Sequence, residues 1–292
     1  MRMQDSDFGM ATRLSRQAEL FVPEISWLEN RNFDAQAIAS VPLFVGCAGW
    51  NLARSVQHNF PSNGTHLERY SRVLPAVEIN SSFYRPHRAA TYARWRDSVP
   101  EAFRFSVKMP RSITHRLRLE NTRIELQQFL DAANNLQHKL GCVLVQLPPN
   151  LLFVPSIARD FLSELRSSVA ADIVCEPRHV SWAGHEANEI FDQFRIAHVA
   201  ADPPAIPMTA PLSCTDTVYV RLHGAPVIYH SAYSEEYLKQ LADELADHIK
   251  LSRRVWCILD NTASGAAIPN ALFLFSRVNA EIKLAAWKQA LI

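Results

Sequence analysis

The chain has 292 residues, a formal net charge of +1, 48% hydrophobic residues and 20% charged residues, the profile of an ordinary globular protein. A general binder of nucleic acid or of a membrane surface carries a stronger basic excess, so any anion binding is expected to be local. No apolar stretch approaches the roughly 18–20 residues of a membrane span, and the N-terminus has early acids and no continuous apolar run, unlike a secretory signal.

Residues 1–40 are mixed and aperiodic apart from a short amphipathic piece near Leu14–Val22, and read as an N-terminal extension to a domain spanning 41–292. From Val41 a unit recurs in which a short β-rich run ends in polar residues and a helical stretch follows. The runs are FVGCAGW (44–50), AVEINSSFY (76–84), RFSVKMP (104–110), CVLVQLPP (142–149), DIVCEPRH (172–179), IAHVAADPP (196–204), TVYVRLHG (217–224) and RVWCILDN (254–261). Amphipathic stretches such as HLERYSRVL, IELQQFLDAANNLQHKL, SIARDFLSELRSSV and EEYLKQLADELADHIKLS fill most intervals. Strands alternating with helices imply a parallel sheet, and eight such units imply closure. The fold class expected is therefore α/β, a single (β/α)8 TIM-type barrel. The weakest unit follows the sixth run, where DPPAIPMTAP leaves little room for a helix.

Alternation along each strand separates two faces. One is apolar throughout, with Val77 and Ile79, Phe105 and Val107, Val143 and Val145, Ile173 and Cys175, Val199, and Val218 and Val220. The other turns polar toward the C-terminal end of each run: Glu78, Asn80, Lys108, Gln146, Glu176, Arg178, Asp202, Arg221, His223 and Asp260. That is the pattern of a barrel whose chemistry sits at the top of its strands. One charge at a strand end is commonly a structural ion pair; this many polar groups converging on one mouth are expected to line a ligand site, because burying them for stability alone gains little.

Within that set, Glu78 and Glu176 are the expected bases and His223 the proton carrier near neutral pH. Asn80, Lys108, Gln146, Arg178, Asp202, Arg221, Asp260 and Asn261 are the expected substrate contacts, with Lys108 and Arg221 as an anion clamp. The bland alternative is that Arg221 pairs with Glu176 or Asp202. The loop KMPRSITHRLRL adds Arg111, His115, Arg116 and Arg118 beside the site, either as a steering surface or as a solvated loop. Trp50 and Trp182 follow strand ends, as a stacking wall or as core. Glu78 with Asn80 could also ligate a metal, but no HxH or HExxH spacing occurs and three cations share the mouth, so neither metal nor cofactor is expected. Cys47, Cys142, Cys175, Cys214 and Cys257 form no CxxC pair, and four of them lie in apolar runs, so buried thiols in a reducing, cytoplasmic setting are expected. A phosphate-cradling glycine loop, a GxSxG elbow and a zinc-deaminase motif are all absent from the sequence.

Several of these segments together resemble one family. They are Gly46-Cys47-Ala48-Gly49-Trp50, Val77-Glu78-Ile79-Asn80-Ser81-Ser82-Phe83-Tyr84, Phe105-Ser106-Val107-Lys108 with Ile113-Thr114-His115, Gln146-Leu147-Pro148-Pro149, Glu176-Pro177-Arg178-His179 with Ser181-Trp182, Tyr219-Val220-Arg221-Leu222-His223-Gly224, and Asn261 followed by Gly265, Ala267, Asn270 and Ala271. In order over about residues 43–280 they resemble the YecE-like family, domain of unknown function 72. The resemblance implies a TIM-type barrel and a pocket, and no particular reaction. Pro177 stands where the family usually has Phe, and Leu259-Asp260 where it usually has Phe-Asn, which adds a carboxylate at the pocket edge. The leading functional expectation is an enzyme or binder acting on a small polar ligand that bears phosphate or carboxylate. The alternatives are a metal-assisted phosphodiester hydrolase acting on nucleic acid, by analogy of fold alone, and a non-catalytic sensor or scaffold. No membrane partner is expected, and oligomeric state is not legible.

Overall fold

The computed structural model describes residues 43–206 and 215–289, with side chains through residue 283. The expected extension at 1–40, most of the proline-rich stretch after the sixth strand, and Cys214 lie outside the described residues. Eight strands lie where the runs placed them: β1 Leu43–Cys47, β2 Ala76–Ile79, β3 Arg104–Lys108, β4 Leu140–Gln146, β5 Asp172–Glu176, β6 Ile196–Asp202, β7 Thr217–Leu222 and β8 Arg254–Leu259. All ladder pairs are parallel, in the order β1-β8-β7-β6-β5-β4-β3-β2, and the sheet curls into a nearly closed TIM-type barrel.

Helices α1 His66–Ser71, α2 Ala89–Asp97, α3 Arg123–Ala133, α4 Pro155–Ser168, α5 His185–Gln193, α6 Glu235–Lys250 and α7 Ala267–Gln289 lie between and after the strands. Their ends follow local chemistry. Thr65 caps α1 in a reciprocal box with Glu68. Proline opens α4, where its missing N–H costs nothing. Ser234 caps α6, with Glu235 and Glu236 in its first turn and His248 and Lys250 in its last, matching the helix dipole. No described helix is long and apolar enough to cross a membrane.

The ends of the sheet meet at a seam between β1 and β2, where the described residues form no backbone ladder. A tyrosine from α1 bridges it. The buried Tyr70 hydroxyl accepts from the Cys47 N–H at 2.8 Å and donates to the Ala76 carbonyl at 3.0 Å, satisfying both backbone groups. The strands approach so closely that a Cβ on Gly46 would lie 2.0 Å from the Ala76 oxygen, so glycine is required there.

The lower interior is an apolar plug: Ala76, Cys142, Val174, Ala197, Tyr219, Trp256 and Ile258, with Phe44 packed against it. The Trp256 ring lies over Gly141, where a Cβ would come within 2.6 Å of it. Cys47, Cys142, Cys175 and Cys257 are buried free thiols. The strand faces follow the expected alternation except in β6. There Ala197 and Val199 point into the barrel, while Asp202, paired in register with the outward Leu222, takes the other face.

Candidate functional site

Above the plug the interior becomes charged. Arg221, near the end of β7, is 0% exposed and wholly engaged. It donates from Nε to Glu78 Oε2 at 3.0 Å and from Nη2 to Glu78 Oε1 at 2.8 Å, a bidentate fork. Its Nη1 donates to Glu176 Oε2 at 3.2 Å, and Nη2 lies 3.0 Å from Asp260 Oδ2. Arg221 was expected to clamp a ligand; its fork is instead spent on three carboxylates of the barrel, an arrangement that includes the alternative pairing with Glu176 but not the one with Asp202. The Tyr219 hydroxyl donates to Glu78 Oε2 at 3.1 Å and meets Ser106 Oγ at 2.8 Å, which ties Glu78 to the plug below.

His223 lies between two carboxylates, with Nδ1 3.0 Å from Asp260 Oδ2 and Nε2 3.1 Å from Glu176 Oε1. Two carboxylate oxygens call for two N–H donors, so the ring is an imidazolium. Burial alone would lower its pKa; the hydrogen bonds to Asp260 and Glu176 and the charge of Glu176 outweigh burial and raise it. Glu176 Oε1 also accepts from Gln146 Nε2 at 2.9 Å and from Arg178 Nε and Nη2 at 3.0 and 2.9 Å. Burial opposes ionisation of Glu176, but Arg221, His223 and Arg178 hold its carboxyl well below the ordinary range. Asp260 is likewise lowered: burial works against its charge, and Arg221, His223 and Lys108 prevail.

Glu78, Glu176 and Asp260 are thus matched by Arg221, protonated His223 and Arg178. Lys108, at the end of β3, is in excess. It is 5% exposed, and its Nζ has no hydrogen-bond or ion-pair partner among the described residues; it lies over the Phe83 ring, 4.4 Å from the ring centroid. Burial, then the charge of Arg221, lowers its pKa to about 8 against the pull of Glu78, Asp260 and Glu176. His115 shares this electropositive rim, held below its ordinary value by burial and then by Lys108, Arg178 and Arg111.

The remaining expected contacts divide. Asn80 lies in the 3-10 turn after β2, and its Oδ1 is buried without a partner among the described residues. Asn261 is buried, donating to the Ser231 carbonyl and to Asn270 Oδ1, so its amide nitrogen pins loops. Asp202 does not join the cluster: facing outward, its Oδ1 accepts from the Tyr233 hydroxyl at 2.9 Å. Trp182 is core, donating to the Leu151 carbonyl, and Trp50 packs edge-on against Trp95. Arg118 is bound to Asn150, whereas Arg111 and Arg116 make no ion pair or hydrogen bond among the described residues. No group of three or more described His, Cys, Asp or Glu side chains is arranged to hold a metal ion, and the Arg221 guanidinium sits where the three carboxylates converge. Tyr70, Phe83 and Tyr92 were not singled out from the sequence, since an aromatic in a helix or turn carries no mark of what it faces.

Comparison with known proteins agrees with this architecture. YunF of Bacillus subtilis (strain 168), a UPF0759 protein, is 24% identical over 78% of this chain and 92% of its own length. YecE of Escherichia coli (strain K12), also a UPF0759 protein, is 28% identical over 106 residues, 36% of this chain and 38% of its own. The crystal structure of a DUF72 family protein from Thermotoga maritima MSB8 superposes with a TM-score of 0.67 at 26% identity, covering 81% of this chain and 99% of that one. One from Enterococcus faecalis V583 gives 0.68 at 19% identity, covering 81% and 95%. The profile of the family described as "Protein of unknown function DUF72" matches residues 44–290, nearly the whole described barrel, and the chain belongs to that family.

Proposed function

We propose that the protein binds a small polar anion, bearing carboxylate or phosphate, at the C-terminal mouth of the barrel, with Lys108 as its charge contact. The observation that carries this reading is the Lys108 ammonium. It is buried at a strand end, without a hydrogen-bond partner among the described residues, above a network in which the other charges are matched. An uncompensated buried charge costs stability, and an anionic ligand would remove that cost. The unpartnered Asn80 Oδ1 favours a ligand that also carries a hydroxyl donor. In this reading Glu78, Glu176, Arg221 and His223 hold the floor of the site. Glu78 and Arg221 are both 0% exposed, and Glu176 has its oxygens taken by four side chains, which supports a structural part for these three in place of the base or clamp expected of them.

The test is thermal denaturation of the wild type and of Lys108→Met with glycerol phosphate, citrate and inorganic phosphate. A ligand that binds only the folded state raises the midpoint by mass action. The expected result is a concentration-dependent rise with at least one of these anions in the wild type and its loss in Lys108→Met. A wild type that responds to none of them, or a rise that survives the substitution, would overturn the proposal.

A further inference from the structure

A second site lies on the same face, outside the barrel axis. A cavity of about 240 Å³ opens between the turn after β2, the π-helical turn Ser112–Arg116 after β3, and α3. Three arginines line it: Arg85, Arg111 and Arg116. All three are exposed, and none of their side chains makes an ion pair or hydrogen bond among the described residues. Glu125 is the one carboxylate in the lining, so two positive charges are left over. The field they make is felt by His87, which also lines the cavity: burial lowers its pKa and Arg85 lowers it further.

The apolar part of the lining is aromatic. Phe83 and Tyr84 meet edge-on at 5.0 Å, and Tyr84 is 66% exposed. Tyr92, from α2, adds a hydroxyl to the lining. It is 1% exposed, its ring packed edge-on against His87 and Trp95, and its hydroxyl makes no hydrogen bond among the described residues.

We infer that this cavity binds a phosphate group carried on a flat apolar body, an aryl phosphomonoester in chemical class. Unpaired arginines present planar forks that match phosphate oxygens, and the Tyr92 hydroxyl adds a neutral donor. Phe83 and Tyr84 offer ring faces to the body of the ligand. The inference does not depend on the reading of the barrel mouth, because it uses neither Lys108 nor the buried network.

Phenyl phosphate is the probe, with phenol and inorganic phosphate as separate arms, measured by isothermal titration on the full chain. The wild type is expected to bind phenyl phosphate saturably and more tightly than either fragment. Arg111→Ala/Arg116→Ala should weaken binding by about tenfold or more, since it removes two charge-assisted contacts from exposed positions. Tyr92→Phe, which keeps the packed ring, should weaken it by roughly three- to tenfold. The titrations are repeated in the Lys108→Met background, where saturable binding of phenyl phosphate should persist and should still weaken on Arg111→Ala/Arg116→Ala. The inference is overturned if the wild type shows no saturable binding, or if both cavity variants bind as tightly as the wild type. Loss of binding in Lys108→Met with both cavity variants intact would move the ligand to the barrel mouth and also overturn it. Melting curves on each variant separate a lost contact from a lost fold.

Discussion

The buried network on the barrel axis and the rim beside it use the same side chains to opposite ends. On the axis, Arg221 meets Glu78, Glu176 and Asp260, and His223 closes the circuit between Glu176 and Asp260. Lys108, at the mouth, lies over an aromatic ring without an ion-pair partner among the described residues, and the side chains of Arg85, Arg111 and Arg116 have none there either. Burial alone therefore does not mark function in this molecule. A charge whose donors and acceptors are all taken holds the barrel together, whereas one left unmatched marks a place for something else to bind. The variants below either break that contrast or sharpen it.

The largest effect is expected at Arg221. Replacing it with Met leaves three carboxylates facing one another with a single imidazolium between them, and stability should fall by about 3–5 kcal/mol. For a chain of this size that is on the order of 10 °C in melting midpoint. Arg221→Lys keeps the charge but loses the bidentate fork, so it should also lower the midpoint while leaving affinity for anions unaltered. Denaturant titration paired with anion binding measures both. If Arg221→Lys folds with wild-type stability and fails to bind anions, the division between axis and rim collapses.

His223 gives a smaller effect with a characteristic pH dependence. Its pKa is raised in the folded protein, so its contribution is full below the unfolded value of about 6.5 and is lost as pH rises through the folded value. Glu176 and Asp260 are lowered, so theirs is present above about pH 4 and is lost as pH falls. Melting midpoints should therefore peak in mildly acidic solution and decline above it. In His223→Gln the alkaline decline should flatten while the acid decline remains. An unchanged alkaline limb in the variant would show that the imidazolium is not held as the geometry requires.

The sequence carried the barrel well because period-two strands spaced by helical stretches leave few other folds. It also marked most of the polar side chains that gather at the C-terminal end of the barrel, since polar residues at the ends of apolar strands stand out. It could not assign the partners. Glu78 and Arg221 are 143 residues apart, and which carboxylate a buried guanidinium takes is decided only when the sheet closes. Asp202 was misplaced because β6 offers weak contrast: Ala197, Val199 and Ala201 fill one face with small apolar groups, and the polar His198 and Asp202 look outward to Asn188 and Tyr233. The outer cavity was illegible for a different reason. The basic residues after β3 were visible, but their lack of partners depends on two turns and a helix from separate parts of the chain. The seam had no signal either, because nothing in Tyr70 itself marks a hydroxyl that replaces a strand ladder.

Lys108→Met should have the smallest effect on stability, with a sign opposite to that of Arg221→Met. The Lys108 pKa falls to about 8 in the folded chain, against about 10.4 for a free lysine, so the charged amine works against folding. That difference caps the penalty at roughly 3 kcal/mol. Losing the contact with Phe83 gives part of it back, and a net gain on the order of 1 kcal/mol is expected in Lys108→Met at neutral pH. The penalty is complete below about pH 8 and fades toward about pH 10, where the wild-type amine is losing its proton in both states. The advantage of the variant should fade over the same interval. Melting midpoints of the two proteins at pH 7 and pH 10 measure it. A variant less stable than the wild type at pH 7 would mean that Lys108 balances the carboxylates of the axis, which would place it with Arg221 and leave the mouth without an unmatched charge.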